Sequence, residues 1–399
     1  MIPDLNNRNE IERIIKEVDP TVRVWDFVEP GLPYKQREFD FISEEFAISI
    51  IDQFRGVIPV VISRETVIGN YSPMLVPTVI LDSNVMASLH QFVTSPEKMV
   101  VKQKRVIVQL LDYLLLEKVD YNPVFYYQES FSKATDADQK IIDYTKSILS
   151  LHMMDELHFL QKREIRTNNT TLEKYIRKFG TSDVGEMAKL QYKHLKDGFV
   201  LATDWKVMYL IILKTALIQQ SRSTSFQFKM EQLNDFIYSI FGVLFGRELA
   251  IAALYFSGDL DKFIPLQKGS NYDVVIKKLR ATAWDLYLLR LPEILLCQEN
   301  APIPLAVVCT GDKGVQTTGR IFHIRRLYTS NGFPTPELEM DFSSLSGPSV
   351  KKRDLIMKLF IEYKAKQDAR RKNLDAERVL SNLDDIINEM EFQVRNFCA

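Results

Sequence analysis

The stretch VILDSNV, residues 79–85, decides how we interpret this chain, because an apolar, β-branched run ends there in an acidic residue. Pro77 precedes the run, and the pattern predicts a short buried strand over residues 78–81. Asp82 follows this strand directly, and apolar spacing predicts a helix over residues 85–93. A buried strand that leads at once into a helix indicates an α/β fold. In such folds, ligands bind beyond the carboxyl ends of parallel strands.

A second stretch of the same kind is AVVCTGDKG, residues 306–314, and it predicts another buried strand over residues 305–310. Asp312 follows it, Gly311 and Gly314 allow a tight turn, and Lys313 is placed to approach a phosphate. Taken singly, an Asp after a strand is more often a helix cap or turn residue than a catalytic group. The hypothesis therefore depends on several acids together.

The chain divides into five segments that differ in their predicted secondary structure. They are a mixed N-terminal segment with a strand at 58–62 (residues 1–72), the first part of an α/β core (73–135), a helical insertion (136–260), the second part of the core (261–330), and a linker with a helical tail (331–399). We expect a Gly-, Pro- and Ser-rich loop over residues 329–348, and a long helix over residues 100–118.

Composition bounds the function without fixing it. The chain has 399 residues, 46% hydrophobic and 26% charged, with a net charge of −1, which is ordinary for a globular protein and gives no overall positive field for nucleic acid. Three cysteines without metal-ligand spacing favour a reduced, cytoplasmic setting. The apolar segment 236–256 has Arg247 and Glu248 at its middle, so we expect a buried helix or helix pair rather than a membrane span.

Two further acids complete the candidate set. Asp285 lies on a helix predicted over residues 273–291, with apolar neighbours at helical spacing, and a buried lone carboxylate needs a partner or a metal. The competing interpretation is a salt bridge to Arg280 or Arg290. Glu129 follows a Pro- and aromatic-rich stretch that suggests a turn into a short extended segment, where it could equally be a solvated loop acid.

These motifs resemble the opening and closing strands of PIN-like nuclease domains. The resemblance covers residues 76–131 and 273–325, about a quarter of the chain. Its first acid maps to Asp82, its second to Glu129, its helix-borne third to Asp285 and its fourth to Asp312. It implies a three-layer α/β domain with a central, mostly parallel sheet, split here by the helical insertion. The 156 positions between Glu129 and Asp285 (285 − 129) exceed what a small member of that family needs.

The resemblance also implies chemistry. Clustered carboxylates repel one another, and a bound Mg²⁺ or Mn²⁺ relieves that repulsion, activates water and stabilises charge on phosphoryl oxygens. The four acids would serve as both metal ligands and catalytic residues. For substrate binding we expect Asn84, Lys313, Arg320 and Arg325, although a solvated surface explains each basic group equally well.

Other enzyme classes lack their motifs. The sequence contains no G-x-x-x-x-G-K-[ST] phosphate loop, no G-x-G-x-x-G dinucleotide fingerprint and no G-x-S-x-G serine elbow. His152 and His158 are six positions apart rather than four, so the zinc motif H-E-x-x-H is absent too.

We therefore expect a cytoplasmic, metal-dependent endonuclease, with RNA favoured over DNA by the resemblance alone, in the setting of a toxin or anti-phage effector. The alternative is a PIN-like fold without catalysis that serves as an interaction or regulatory module. Whether the carboxyl groups converge discriminates between the two. In the tail, Leu383, Ile387, Met390 and Val394 have coiled-coil seam spacing, which predicts docking onto the same chain or homo-oligomerisation.

Overall fold

A computed structural model describes most of the chain. The chain forms two units. The described residues are 8–17, 19, 21–28, 31–43, 45–69, 73–133, 138–199, 201–220, 225–242, 245–258, 260, 266, 268–298, 302–330, 333–342, 354–359, 361–363 and 381–399. The first unit comprises Met1–Leu201, Arg290–Gln316 and Ile324–Glu337, and the second comprises Ala202–Leu289, Thr317–His323 and Leu338–Ala399. Helices and strands are mixed, so the α/β class is confirmed.

The strands are short and concentrated near the two ends of the chain. They are β1 (Arg23–Asp26), β2 (Phe39–Ser43), β3 (Phe46–Ile51), β4 (Val60–Ile62), β5 (Leu75–Leu81), β6 (Asp120–Asn122), β7 (Ile303–Thr310), β8 (Phe322–Ser330) and β9 (Phe333–Met340).

The helices occupy most of what lies between. They are α1 (Arg8–Glu17), α2 (Arg64–Gly69), α3 (Ser83–Thr94), α4 (Val101–Leu116), α5 (Val124–Ser132), α6 (Asp138–His152), α7 (Glu156–Lys162), α8 (Asn169–Phe179), α9 (Val184–Asp197), α10 (Thr203–Gln220), α11 (Phe226–Phe241), α12 (Gly246–Phe256), α13 (Tyr272–Leu296), α14 (Lys313–Gly319) and α15 (Leu383–Cys398).

A five-stranded sheet in the order β2-β3-β7-β5-β6 organises the first unit. β7 runs parallel to β5, and β5 runs parallel to β6. β3 pairs antiparallel with β7, and β2 pairs antiparallel with β3. The two strands predicted from the apolar runs are thus adjacent, parallel and central, so their carboxyl ends open onto the same edge.

Both faces of the central strands are buried. Val79 and Leu81 of β5, with Val307 and Cys309 of β7, belong to one core that includes residues of α3, α4, α5 and α6. The alternate residues, such as Ile80, are also fully buried. A strand buried on both faces needs apolar side chains at every position, which is why these strands appear as unbroken apolar runs in the sequence.

The second sheet was largely missed by the sequence analysis. Its order is β4-β1-β8-β9, and β1 pairs antiparallel with both β4 and β8. The predicted loop over residues 329–348 is wrong for residues 333–340, which form β9. Both prolines of β9, Pro334 and Pro336, lie on a strand at the edge of the sheet, where a missing N–H leaves no neighbouring strand unpaired.

The predicted segments map onto the units differently from the sequence division. Residues 1–72 supply β2 and β3 to the central sheet, so this segment is part of the α/β core. The helical insertion at 136–260 is divided at Leu201, with α6 to α9 in the first unit and α10 to α12 in the second. α6 packs on α3, and α9 packs on α6, within the first unit.

The apolar segment 236–256 is a helix pair, as expected. It contains the end of α11 and all of α12, and Arg247 is fully buried with its Nη1 donating to the Leu289 carbonyl at 2.9 Å. In the part of the chain that the structure describes, no helix combines the length and the apolar character needed to cross a membrane.

The tail helix α15 packs against α10 in the second unit, so the intramolecular alternative is the one observed. Its predicted seam residues are all buried: Leu383, Ile387, Met390 and Val394. Polar contacts flank this seam, since Lys206 Nζ lies 2.7 Å from Asp384 and the Tyr209 hydroxyl donates to Glu391 Oε1 at 2.5 Å.

Candidate functional site

Two of the predicted acids lie at the carboxyl ends of neighbouring parallel strands. Leu81 of β5 is in register with Cys309 of β7, and the Asp82 backbone N–H donates to the Cys309 carbonyl at 3.0 Å. Asp312 follows the end of β7 after one intervening residue, Gly311. The chain direction and the strand pairing therefore bring Asp82 and Asp312 to one edge of the sheet, as the sequence predicted.

A single hydroxyl group links these two acids. The Thr310 hydroxyl donates to Asp82 Oδ2 at 2.5 Å. The hydroxyl oxygen, Thr310 Oγ1, also accepts a hydrogen bond from the Asp312 backbone N–H at 2.9 Å. Thr310 has no exposed surface. Because a hydroxyl has one proton to donate, its hydrogen bond to Asp82 also fixes the oxygen lone pairs that face Asp312.

Asn84 makes a second connection between the same two loops. Its Nδ2 donates to Asp82 Oδ2 at 2.6 Å, and its Oδ1 accepts the Gly311 backbone N–H at 2.9 Å. A Cβ atom on Gly311 would lie only 3.2 Å from Asn84 Oδ1. A larger residue at position 311 would therefore require the Asn84 amide to shift by a few tenths of an ångström. Asn84 therefore orients an acid of the site through its side-chain amide.

Glu129 joins the site from a helix, so the predicted extended segment is wrong. Residues 124–132 form α5, and the Asn122 side chain accepts the Val124 N–H at 2.9 Å, at the start of the helix. One carboxylate oxygen, Oε2, accepts a hydrogen bond from the Ser83 hydroxyl. The other, Oε1, lies 2.6 Å from Lys133 Nζ. Glu129 is thus held next to Asp82 through the residue that follows Asp82 in the chain.

The electrostatics of Asp82 reflect this crowding. Burial is the largest cause that raises the pKa of Asp82, from an ordinary 3.8 to about 6, and the charges of Glu129 and Asp312 raise it further. Hydrogen bonds from Thr310 and Ser83 oppose the shift. The carboxylate is therefore ionised at neutral pH, but at a free-energy cost that a nearby cation would relieve.

Asp312 has a structural function in addition to its position. Its Oδ1 accepts the backbone N–H groups of Gly314 at 2.6 Å and Val315 at 3.0 Å, which caps the start of α14. The capping role that the sequence analysis left open is thus present. The side chain is nevertheless exposed at the sheet edge, beside Lys313, which is exposed as well.

Asp285, the fourth predicted acid, lies in the other unit. It is half-buried on α13 among fully buried neighbours such as Trp284 and Leu286. The two arginines proposed as its partners have other acidic neighbours: Arg280 lies 2.9 Å from Glu391, and Arg290 lies 3.5 Å from Glu293. The structure therefore brings together Asp82, Glu129 and Asp312, and membership of Asp285 in the same site stays a prediction.

The predicted substrate-binding residues are divided in the same way. Asn84 contacts Asp82 directly, and Lys313 follows Asp312 in the chain. Arg325 is exposed on β8 in the first unit, whereas Arg320 lies in the second unit, between α14 and β8. Of these four residues, Asn84 and Lys313 therefore lie beside the acids, through a hydrogen bond and through chain adjacency respectively.

The donor set can be compared with what a hard cation requires. Carboxylate oxygens of three acids and the Asn84 amide oxygen are the ligand types that Mg²⁺ and Mn²⁺ prefer, so the chemistry fits. Among the described residues, however, no group of three or more His, Cys, Asp or Glu side chains is spaced to hold a metal ion. The ammonium group of Lys133 already forms an ion pair with the Glu129 carboxylate.

Three residues of the site were missed from the sequence: Ser83, Thr310 and Lys133. Lys133 is four residues after Glu129, the spacing of a helical ion pair, and became recognisable only once α5 was known. Thr310 lies inside the stretch AVVCTGDKG, but nothing in the sequence indicates that its hydroxyl group contacts Asp82. Comparison of the chain with models of protein families, with curated proteins and with solved structures gives no match.

Proposed function

We propose that this chain is a metal-dependent nuclease with a PIN-like core, whose acidic site is formed by Asp82, Glu129 and Asp312. The observation that supports this most directly is that a buried carboxylate at the end of a parallel strand has two further acids near enough to raise its pKa. Proteins rarely retain such a cluster without a ligand, since each like charge adds to the cost of burial.

The residues have distinct functions in this proposal. Asp82 and Glu129 would hold the cation, with Asp312 as the third acid. Mg²⁺ or Mn²⁺, when bound, would supply the charge that activates water and stabilises the phosphoryl oxygens of the substrate. Thr310 and Asn84 keep the Asp82 carboxylate fixed through their hydrogen bonds at 2.5 and 2.6 Å. Lys313 would bind a substrate phosphate as an exposed positive charge.

The finer parts of the proposal come from the resemblance. They are a three-layer PIN-like arrangement, Asp285 as a fourth ligand, Arg320 and Arg325 as substrate contacts, RNA rather than DNA as substrate, and a cytoplasmic toxin or anti-phage setting. The helical insertion would shape access to the site. For the first part of the insertion, the packing of α6 on α3 supports this role.

A nuclease assay tests the proposal directly. Purified full-length chain is incubated with labelled single-stranded RNA and DNA, with Mg²⁺, with Mn²⁺ and with excess chelator. We expect metal-dependent cleavage that Asp82→Asn and Glu129→Gln abolish, with folding intact by circular dichroism. The control is Glu173→Gln, which removes an exposed acid on α8. Cleavage that persists in chelator, or in both site variants, would exclude this mechanism.

A second function, a PIN-like module without catalysis, is favoured by the hydrogen bonds of the acids themselves. Asp312 caps α14, and Glu129 is paired with Ser83 and Lys133, so each has a stabilising role that needs no metal. In that case no variant cleaves nucleic acid, Mn²⁺ does not bind, and Glu129→Gln lowers the stability of the fold.

A further inference from the structure

The Lys133 ammonium group contacts a carboxylate oxygen of Glu129 that a bound divalent cation would also need. Its Nζ is 2.6 Å from Glu129 Oε1, and the two residues are four apart at the end of α5. The Ser83 hydroxyl occupies the other carboxylate oxygen. Both oxygens of Glu129 are therefore engaged within the described structure.

Glu129 and Lys133 differ in how far their side chains are exposed to solvent. The Glu129 side chain is 13% exposed, whereas that of Lys133 is 62% exposed. A lysine has four rotatable bonds and a strongly hydrated head, so its ammonium can exchange the carboxylate for water at little cost. Glu129, by contrast, is fixed by packing and by Ser83.

From this asymmetry we propose that Lys133 is a built-in counter-ion that competes with the divalent cation for Glu129 and so regulates metal loading of the site. This inference rests on the proposed metal-dependent function. The ammonium compensates the carboxylates when no divalent ion is bound, and it swings into solvent when one binds. The ion pair then offsets part of the carboxylate charge without metal, and a higher concentration of cation is needed to half-saturate the site.

The test is direct measurement of Mn²⁺ binding to the full chain by isothermal titration calorimetry. Lys133→Met removes the charge but keeps the length of the side chain, and we expect its Kd for Mn²⁺ to fall about 1.5-fold to fivefold, the range for the loss of one exposed competing ion pair. Lys133→Arg keeps the charge and should bind as the wild type does. The matched control is Lys189→Met, which removes a similar ion pair, at 2.7 Å, on α9.

A double variant identifies the partner through which Lys133 acts. Glu129→Gln should itself weaken Mn²⁺ binding because it removes a metal ligand, and in that background Lys133→Met should cause no further change in the Kd, because the competing contact has already been removed. Circular dichroism melting of each variant verifies that the fold is retained.

The outcomes separate this inference from the proposed function. If the wild type binds Mn²⁺ and Lys133→Met binds it equally or more weakly, Lys133 does not compete, and the proposed function stands. If neither the wild type nor any variant binds Mn²⁺, the metal-dependent function is overturned and this inference with it. Tighter binding by Lys133→Met in both backgrounds would mean that Lys133 acts on an acid other than Glu129.

Discussion

Replacement of Asp82 by Asn should make the folded chain more stable at neutral pH, although the residue is central to the site. Asp82 is 7% exposed, and its pKa is raised from 3.8 to about 6. The folded chain thus binds a proton that the unfolded chain has already lost, so ionisation lowers stability. At about 1.4 kcal/mol per pKa unit, the full penalty is about 3 kcal/mol above pH 7.

The sign and the pH range follow from these two values. The penalty is absent below about pH 4, grows as the pH rises from about 4 to 6, and is constant above about pH 7. Asn resembles the protonated acid, but its amide group cannot reproduce every hydrogen bond. We therefore expect a gain of about 1–3 kcal/mol in the free energy of unfolding at pH 8, and a loss of up to about 2 kcal/mol at pH 4, where only the cost of the lost hydrogen bonds remains.

The assay is urea denaturation of the wild type and Asp82→Asn in parallel from pH 4 to pH 8, without divalent cations. Subtracting the two curves at each pH cancels the other titrating groups. Hydrogen exchange of the β5 amides reports whether the change arises in the first unit. A difference that is flat with pH, or a variant that is less stable at pH 8, would refute the reasoning.

Asp52 provides the matched control, since it is equally buried but fully compensated. It lies 2.9 Å from Arg37 Nε and accepts the backbone N–H groups of Phe54 and Gly56 at 2.9 and 2.7 Å. Asp52→Asn leaves the buried Arg37 without its charge partner, so we expect a loss of about 3–5 kcal/mol at pH 8.

Further predictions concern the hydrogen bonds, the turns and the tail. Thr310→Val removes a hydrogen bond that lowers the pKa of Asp82, so the pH at which the Asp82→Asn stability difference is half developed should rise; an unchanged midpoint would exclude that role. Gly56→Ala should cost more than 2 kcal/mol in chemical denaturation, because Gly56 has a φ of +76° and its added Cβ would lie 2.7 Å from a backbone oxygen. Gly180→Ala, also at positive φ but in open space, should cost only about 1 kcal/mol, and equal costs would contradict this reasoning. Ile387→Asp should lower the melting temperature, because it buries an unpaired charge between α15 and α10; a changed mass in solution without destabilisation would instead favour assembly through the tail.

The sequence predicted the parts of the fold whose physical cause is local. β5 and β7 were found because burial on both faces demands continuous apolar residues, and α3 and α4 because a half-buried helix repeats its apolar positions. β2 and β9 were missed because both lie at sheet edges, where exposed positions interrupt the pattern and Pro is tolerated.

The site shows the same limit. Asp82 and Asp312 were identified because strand ends are visible in the sequence. Glu129 was chosen correctly as a neighbour but placed on the wrong element, because Asn-Pro followed by aromatic residues was interpreted as a turn rather than a helix start. For Asp285, periodicity indicated an inward-facing position on a helix, but it contains no information about which unit receives that face.

The strand order of the central sheet determines when the sheet can be completed during synthesis of the chain. β7 lies between β3 and β5, yet it leaves the ribosome 229 residues after Leu81 (310 − 81). At the usual rates of synthesis, that interval is roughly ten to fifty seconds. Throughout it, the edges of β3 and β5 that later receive β7 have no partner and are open to the wrong strand. Thr310 and Asp312 are absent for the same period, so a nascent chain has no assembled acidic site until Asp312 has been synthesised.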